Sequence, residues 1–303
     1  MDRIAAMQAF IAVAETESFA EAARRLGLSP PSVTRAVATI EERIGTLLLH
    51  RTTRQVRLTE AGQRYLLDCR RIVAEVEEAE AAAAGDHAEP RGSFTVTAPV
   101  MFGRIHVAPV LLDFLDAHPG VSARLALLDR VVDLMDEGFD VALRIAELAD
   151  SSLVAVRVGT MRRVICATPE YLAQHGEPRR PADLADHPVV LTAPLVNLGE
   201  WLLDGPGSPG ERVVPQARLI VNSADVAVTA ALAGRGLTRV LAYQIAPELR
   251  AGRLKILLED YEPAPIPVHL VQLGGRRAPA RVRAFVDFAA ARLRRTLAEI
   301  AAI

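Results

Sequence analysis

Cysteine is nearly absent. Cys69 and Cys166 are the only two, far apart and in no metal-binding or redox spacing. That excludes a disulfide scaffold, a zinc ribbon and a paired-thiol redox centre, and leaves reduced structural thiols as the expectation. Long apolar runs are also missing. None reaches the ~18 residues that a membrane span needs, and the start lacks the basic, apolar and small-residue order of a secretory signal. A cytoplasmic protein without a membrane partner is expected. Lysine is reduced to Lys255, so the basic residues are otherwise arginines, and the formal net charge is −2. No global charge draws a polyanion, and charge has to be read locally. No Gly-rich phosphate loop, nucleophile elbow or metal-ligand spacing is present. Cys166, His106, His118, His187 and Asp129 are scattered, and the expectation is no enzyme, no metal and no cofactor.

What is present falls into three textures. Hydrophobic residues make up 50 % of the chain, enough for more than one core. Up to about Leu58 the pattern is helical and broken into short pieces. From Thr59 to Ala84 it is one long helical run. After "GDHAEPRG" (85–92), a hinge by its Gly and Pro content, β-like runs alternate with amphipathic helices in α/β fashion. The expected domains are residues 1–59, a linker helix 60–84, a hinge 85–91 and a domain 92–303.

Within the first region, "IAAMQAFIAVAET" (4–16) predicts a helix. Ser18 with Glu21 is a capping box for a second helix, which Gly27 stops. Ser29 caps a third, whose first turn tolerates Pro30 and Pro31 because those amides have no intrahelical partner. Val33, Ala36, Val37, Ile40 and Ile44 form its inward row. Two short helices joined by a tight Gly turn are a helix-turn-helix. Thr34, Arg35 and Ala38 lie off the inward row of the third helix, where a major groove would be. "LLLHRTTRQVRLT" follows as a two-stranded wing. Between Phe19 and Arg64 eight arginines face four glutamates, a local excess of the kind phosphate neutralisation requires. Leu66, Cys69, Val73 and Val76 repeat like a short dimer seam, or pack the helix on its own domain.

The stretch "SFAEAARRLGLSPPSVTRAVATIEERIGTLLLHRTTRQVRLTEAG" (18–62) resembles the DNA-binding segment of LysR-type transcriptional regulators. "RGSFTVTAP", "HPGV", "EGFDVALRI", "ATPEYLAQHGEP", "ADLADHP" and "AGRLKILLEDYEP" look like that family's effector domain, in order. The resemblance implies an N-terminal winged helix-turn-helix, a long linker helix pairing two subunits, and a C-terminal two-lobed, periplasmic-binding-protein-like domain, α+β and α/β in class. It also implies double-stranded DNA and a small-molecule effector as partners, and a dimer of dimers. Carried across by position, Ser29, Pro30, Pro31, Ser32, Thr34 and Arg35 begin the recognition helix, and Arg51, Thr52, Thr53 and Arg54 form the wing. Arg35 has a guanine edge or a phosphate as its target, and Thr34 a thymine methyl or a phosphate. The family often has Gln or Ser-Ala where this chain has Pro30-Pro31-Ser32, so no base preference carries over.

In the last region "SFTVT", "VSARLALL", "DVALRI", "LVAVRV", "RVICAT", "ARLIV", "LTRVL" and "VHLVQL" read as strands, and "RVVDLMDEG", "PEYLAQHG" and "SADVAVTAALAGRG" as helices. A final helix runs over about 279–298. One lobe is expected near 92–160 and 267–303, and the other near 161–266. A cleft between lobes is the place for a small ligand. Thr97, Ala98, Pro99 and Val100 face it after the first strand, with Asn222 and Ser223 opposite. Arg144 is the candidate partner for a carboxylate effector. Helix capping is the other reading of Asn222 and Ser223, and a structural salt bridge that of Arg144. A solute-binding protein of the same two-lobed class is the alternative function, and it leaves the first ~85 residues unexplained.

Overall fold

The computed structural model describes residues 2–51, 56–83, 90–148, 153–192, 200–205, 208–275 and 278–302. Wing positions Thr52, Thr53 and Arg54 and hinge positions 85–89 lie outside them. The chain divides into two compact units, Met1–Glu89 and Pro90–Ile303.

The first unit starts with α1 (Arg3–Thr16), whose N-cap Asp2 accepts the Ile4 amide. Ser18 Oγ accepts the Glu21 amide to open α2 (Phe19–Leu26), and Gly27 closes it at φ 65°. That left-handed conformation costs glycine nothing. Ser29 caps α3 (Pro30–Ile44). Strands β1 (Leu49–Arg51) and β2 (Val56–Leu58) pair antiparallel as the wing, and α4 (Glu60–Ala83) follows. Phe10, Val13, Ala22, Val33, Val37 and Ile40 make the core.

Two expectations change here. Ile44 is exposed, and Glu41 takes the inward place in the last turn of α3. Its Oε1 accepts the amides of Leu48 at 2.9 Å and Leu49 at 3.1 Å, which fastens the recognition helix to the wing. Leu66, Cys69 and Val73 are buried against their own domain. Spacings of three and four serve an intramolecular face as well as a dimer seam, and here the helix docks on its own domain.

In the second unit β3 (Gly92–Ala98) leads into α5 (Val100–Phe102), a π-helical turn (Gly103–Val107) and α6 (Ala108–Ala117). Then come β4 (Val121–Leu127), β5 (Val141–Ile145), β6 (Val154–Met161), β7 (Arg163–Ala167), α7 (Pro169–His175) and β8 (Val189–Thr192). The hairpin of β9 (Trp201–Gly205) and β10 (Ser208–Val213) precedes β11 (Ala217–Val221), α8 (Ala224–Leu232) and β12 (Leu237–Leu241). The remaining elements are α9 (Ala242–Arg250), β13 (Lys255–Leu257), β14 (Ile266–Gln272) and α10 (Ala280–Ala301).

Among the described residues these strands form two matching five-stranded sheets, ordered β4-β3-β5-β14-β6 and β11-β8-β12-β7-β13. In each, four strands run in one direction and a single strand, β14 in the first sheet and β7 in the second, runs against them. The chain crosses between lobes at Met161–Arg163 and again before β14. Arg162 staples the two crossings, its Nε and Nη2 reaching both oxygens of Glu262 at 2.8 and 2.7 Å.

The expected helix over 130–138 is instead a turn. Asp133 Oδ1 accepts the Met135 and Asp136 amides, Arg130 pairs with Glu137, and Gly138 ends it at φ 71°. An aspartate that binds its own downstream amides competes with helix continuation.

Candidate nucleic-acid interface and effector cleft

At the start of α3 the side chains of Ser29, Pro30, Pro31, Thr34 and Arg35 are exposed and Ser32 is half-buried. Ser29 and Ser32 share a hydroxyl–hydroxyl hydrogen bond of 2.7 Å, and Thr34 Oγ1 donates to the Pro30 carbonyl at 2.9 Å. The Thr34 hydroxyl proton is thereby turned back onto the helix. On the wing, exposed Arg57 stands directly across from exposed His50, and Arg51 lies opposite Val56 at the strand end.

Most of the acids here are held close to arginines or buried, which leaves particular arginines without an acid partner among the described residues. Glu41 is buried, Glu21 pairs with Arg24, and Glu60 pairs with Arg64 at 2.8 Å. Glu15 holds Arg25 and Arg70 at 2.7 and 2.8 Å. Burial pulls its carboxyl up, but the two guanidinium groups together hold it below its ordinary value. Among the described residues Arg35, Arg43 and Arg57 form no ion pair. Cys69 lies in the core with Tyr65 packed against it, and burial pushes its thiol up to about 11. A thiol protonated at neutral pH is unreactive.

In the effector domain the residues expected at the cleft separate into two groups. Thr97 and Ala98 are buried in lobe I, while Val100 is exposed and its amide donates to Asp129 Oδ1 at 2.9 Å. Gly103 lets the helix lie on the sheet, because a β-carbon there would overlap the Leu127 side chain. Across from this turn Asn222 is exposed, and Ser223 occupies the N-cap position of α8 without a side-chain capping bond. The lobes meet beside it. Arg104 pairs with Asp225 at 3.4 Å, and Tyr243 of α9 packs edge-on against Phe102 with centroids 5.1 Å apart. Burial, with Asp129 and Asp225 nearby, pushes the Tyr243 hydroxyl up to about 12.

Arg144 forms no salt bridge among the described residues, and its Nη2 donates to the Val132 carbonyl. The cross-strand register puts His269 of β14 directly beside it. Sequence reasoning missed Glu41, Tyr243 and Asp129 as parts of these sites. Glu41 was accessible to it, since position 41 continues the inward row of α3 one turn beyond Val37.

A helix-turn-helix with a wing, followed by a two-lobed domain, matches two family descriptions. Residues 4–63 match the bacterial regulatory helix-turn-helix protein, lysR family, and residues 87–294 match the LysR substrate binding domain. The chain belongs to the LysR family of transcriptional regulators. Among its relatives is the HTH-type transcriptional activator AaeR of Escherichia coli, 32 % identical, with 95 % of this chain and 93 % of that protein covered. An HTH-type transcriptional repressor of Pseudomonas aeruginosa is 33 % identical, covering 95 % of this chain and 91 % of its own. The solved LysR-type regulator CrgA of Neisseria meningitidis is 29 % identical with a TM-score of 0.61, covering 95 % of this chain and 98 % of its own. The LysR chain thus combines a DNA-binding domain with an effector-binding domain, and the solute-binding alternative falls. No helix among the described residues is long and apolar enough to cross a membrane.

Proposed function

We propose that this regulator acts in the cytoplasm by reading operator DNA with the start of α3, and that it responds to a small carboxylate held between the lobes. The observation that carries the DNA half is the exposed row from Ser29 to Arg35, with Arg35 free of any acid partner among the described residues. Thr34 offers its methyl to a thymine methyl, because its hydroxyl proton is engaged by the Pro30 carbonyl. Arg35 reads a guanine edge. Ser29, Pro30, Pro31 and Ser32 set the approach of the helix, and Arg51, Thr52, Thr53 and Arg54 take phosphates.

For the effector half, the Ser223 hydroxyl is not used for capping and Asn222 is exposed. Pro99 and Val100, with Thr97 and Ala98 behind them, form the facing wall, and Arg144 takes the carboxylate by leaving the Val132 carbonyl. Exposed Leu112 on α6, Leu219 and Ile220 on edge strand β11, and Val226 on α8 support pairing of effector domains. With the linker helix, that pairing gives a dimer of dimers. The relatives include both an activator and a repressor.

The experiment is fluorescence anisotropy of the full-length chain on DNA selected from a random pool, repeated across salt. The reading expects a preferred sequence and an affinity that falls steeply with salt. A protein that selects no sequence would refute it.

A further inference from the structure

Arg239 lies on β12 within the lobe II sheet, where an unpaired charge is costly. It is 7 % exposed. Its Nη2 donates to the Leu202 carbonyl at 2.8 Å, and its guanidinium lies 5.7 Å from the centre of the Trp201 ring. Its Nε is buried without a hydrogen-bond partner among the described residues. Burial first, and Arg163 second, lower its pKa to about 10 against the pull of Glu262.

The register explains the role of Arg163. Arg239 faces Ile165 and Leu241 faces Arg163 across β12 and β7, so the two arginines are diagonal neighbours on one face of the sheet. Arg163 is exposed and, among the described residues, forms no ion pair. The nearby acids are already engaged, Glu262 and Glu259 both by Arg162. Two like charges therefore stand together, with Arg239 desolvated. Among the described residues neither forms an ion pair, since the acid nearest in effect, Glu262, is held by Arg162. Replacing a buried ionic group with an apolar one is often neutral or stabilising, so stability does not account for Arg239.

We propose that Arg163 and Arg239 form a binding site for a compact oxyanion, either the carboxylate of a small organic acid or inorganic phosphate, on the β9 side of lobe II beside the strand crossing. The planar forks of two guanidinium groups suit such an anion. Arg163 meets it from solvent and Arg239 supplies the desolvated contact. The site uses none of the cleft residues assigned above and stands independently of that assignment.

The test is thermal denaturation of the full-length chain at constant ionic strength. It is titrated separately with sodium phosphate and with acetate, benzoate and succinate. A saturable rise in Tm is expected with at least one of them, since a ligand that binds only the folded form stabilises it. The anion that produces the rise identifies the source. Arg239→Met should abolish it without lowering the ligand-free Tm. Arg163→Gln, at an exposed position, should weaken the anion about tenfold and leave the ligand-free Tm unchanged. Arg144→Ala should retain the rise, which separates this site from the cleft. Flat titrations with all four anions would overturn the proposal. So would a rise that Arg163→Gln leaves intact, whether or not Arg239→Met folds.

Discussion

In the N-terminal domain Arg35, Arg43 and Arg57 stand on the surface, while in the effector domain Arg144, Arg239 and Arg281 turn inward and donate to the carbonyls of Val132, Leu202 and Ser93. The same side chain thus works under two regimes. An outward guanidinium keeps its hydration and its freedom until a polyanion arrives with released counterions as the driving force. An inward one is already desolvated and oriented, so it selects a compact anion or holds a loop. The acids follow the same division. The N-terminal domain commits Glu15, Glu21 and Glu60 to Arg25, Arg70, Arg24 and Arg64 and buries Glu41, and among the described residues Arg35, Arg43 and Arg57 form no ion pair. Around the strand crossing, Glu259 and Glu262 both pair with Arg162.

The largest effect should come from Val73→Asp. Placing a carboxylate in the core of the N-terminal domain should cost about 3 kcal/mol or more. Calorimetry of the full-length chain should show the N-terminal transition lowered and the effector-domain transition unchanged. A variant that keeps both transitions and loses only self-association would restore the dimer-seam reading of this position. Glu41→Ala comes next, at roughly 2–4 kcal/mol, because it strands two buried amides. Its loss should appear in the same N-terminal transition, and DNA affinity should fall with it.

Arg144→Ala sharpens the effector side of the comparison. It breaks a hydrogen bond to a carbonyl and no salt bridge, so ligand-free stability should drop by about 1 kcal/mol. The Tm shift given by a cleft-binding carboxylate should vanish. A loss of several kcal/mol without ligand would mark Arg144 as structural.

The smallest effect is on pH. Burial lowers the pKa of His106 and of His187, the latter hydrogen-bonded to Tyr171 at 3.0 Å. The unfolded chain therefore binds more protons below roughly 6.5, and stability falls as pH drops through that point. Asp140, raised by burial, pulls the opposite way only nearer the carboxylate range. The effector-domain Tm measured from neutral to mildly acidic pH should decline, and His106→Phe should flatten the decline.

The helix-turn-helix was legible because its signals are local. Ser18, Gly27, Ser29 and the prolines each act on the turn they occupy, and the caps form where the spacing put them. Most effector-domain strands were legible for the same reason, as alternating runs. The turn at 130–138 was not, because Asp133 and the Arg130–Glu137 pair outcompete a helical pattern. The destination of Leu66, Cys69 and Val73 was open, since a partner helix and α1 ask for the same spacing. Arg239 could not be found from sequence at all. Its setting depends on β7 and β9, far off in the chain and brought together only by the sheet and its hairpin.

The account rests most on the outward arginine of α3, and Arg35→Ala tests it directly. Affinity for selected operator DNA and for unrelated DNA should be measured for both proteins at one salt concentration. Loss of a base contact predicts a drop of about 1–3 kcal/mol on the operator, with the preference relaxed at one position per half-site and little change on unrelated DNA. Equal affinity of the two proteins for the operator, with the same sequence preference, would contradict the assignment of α3 to the major groove.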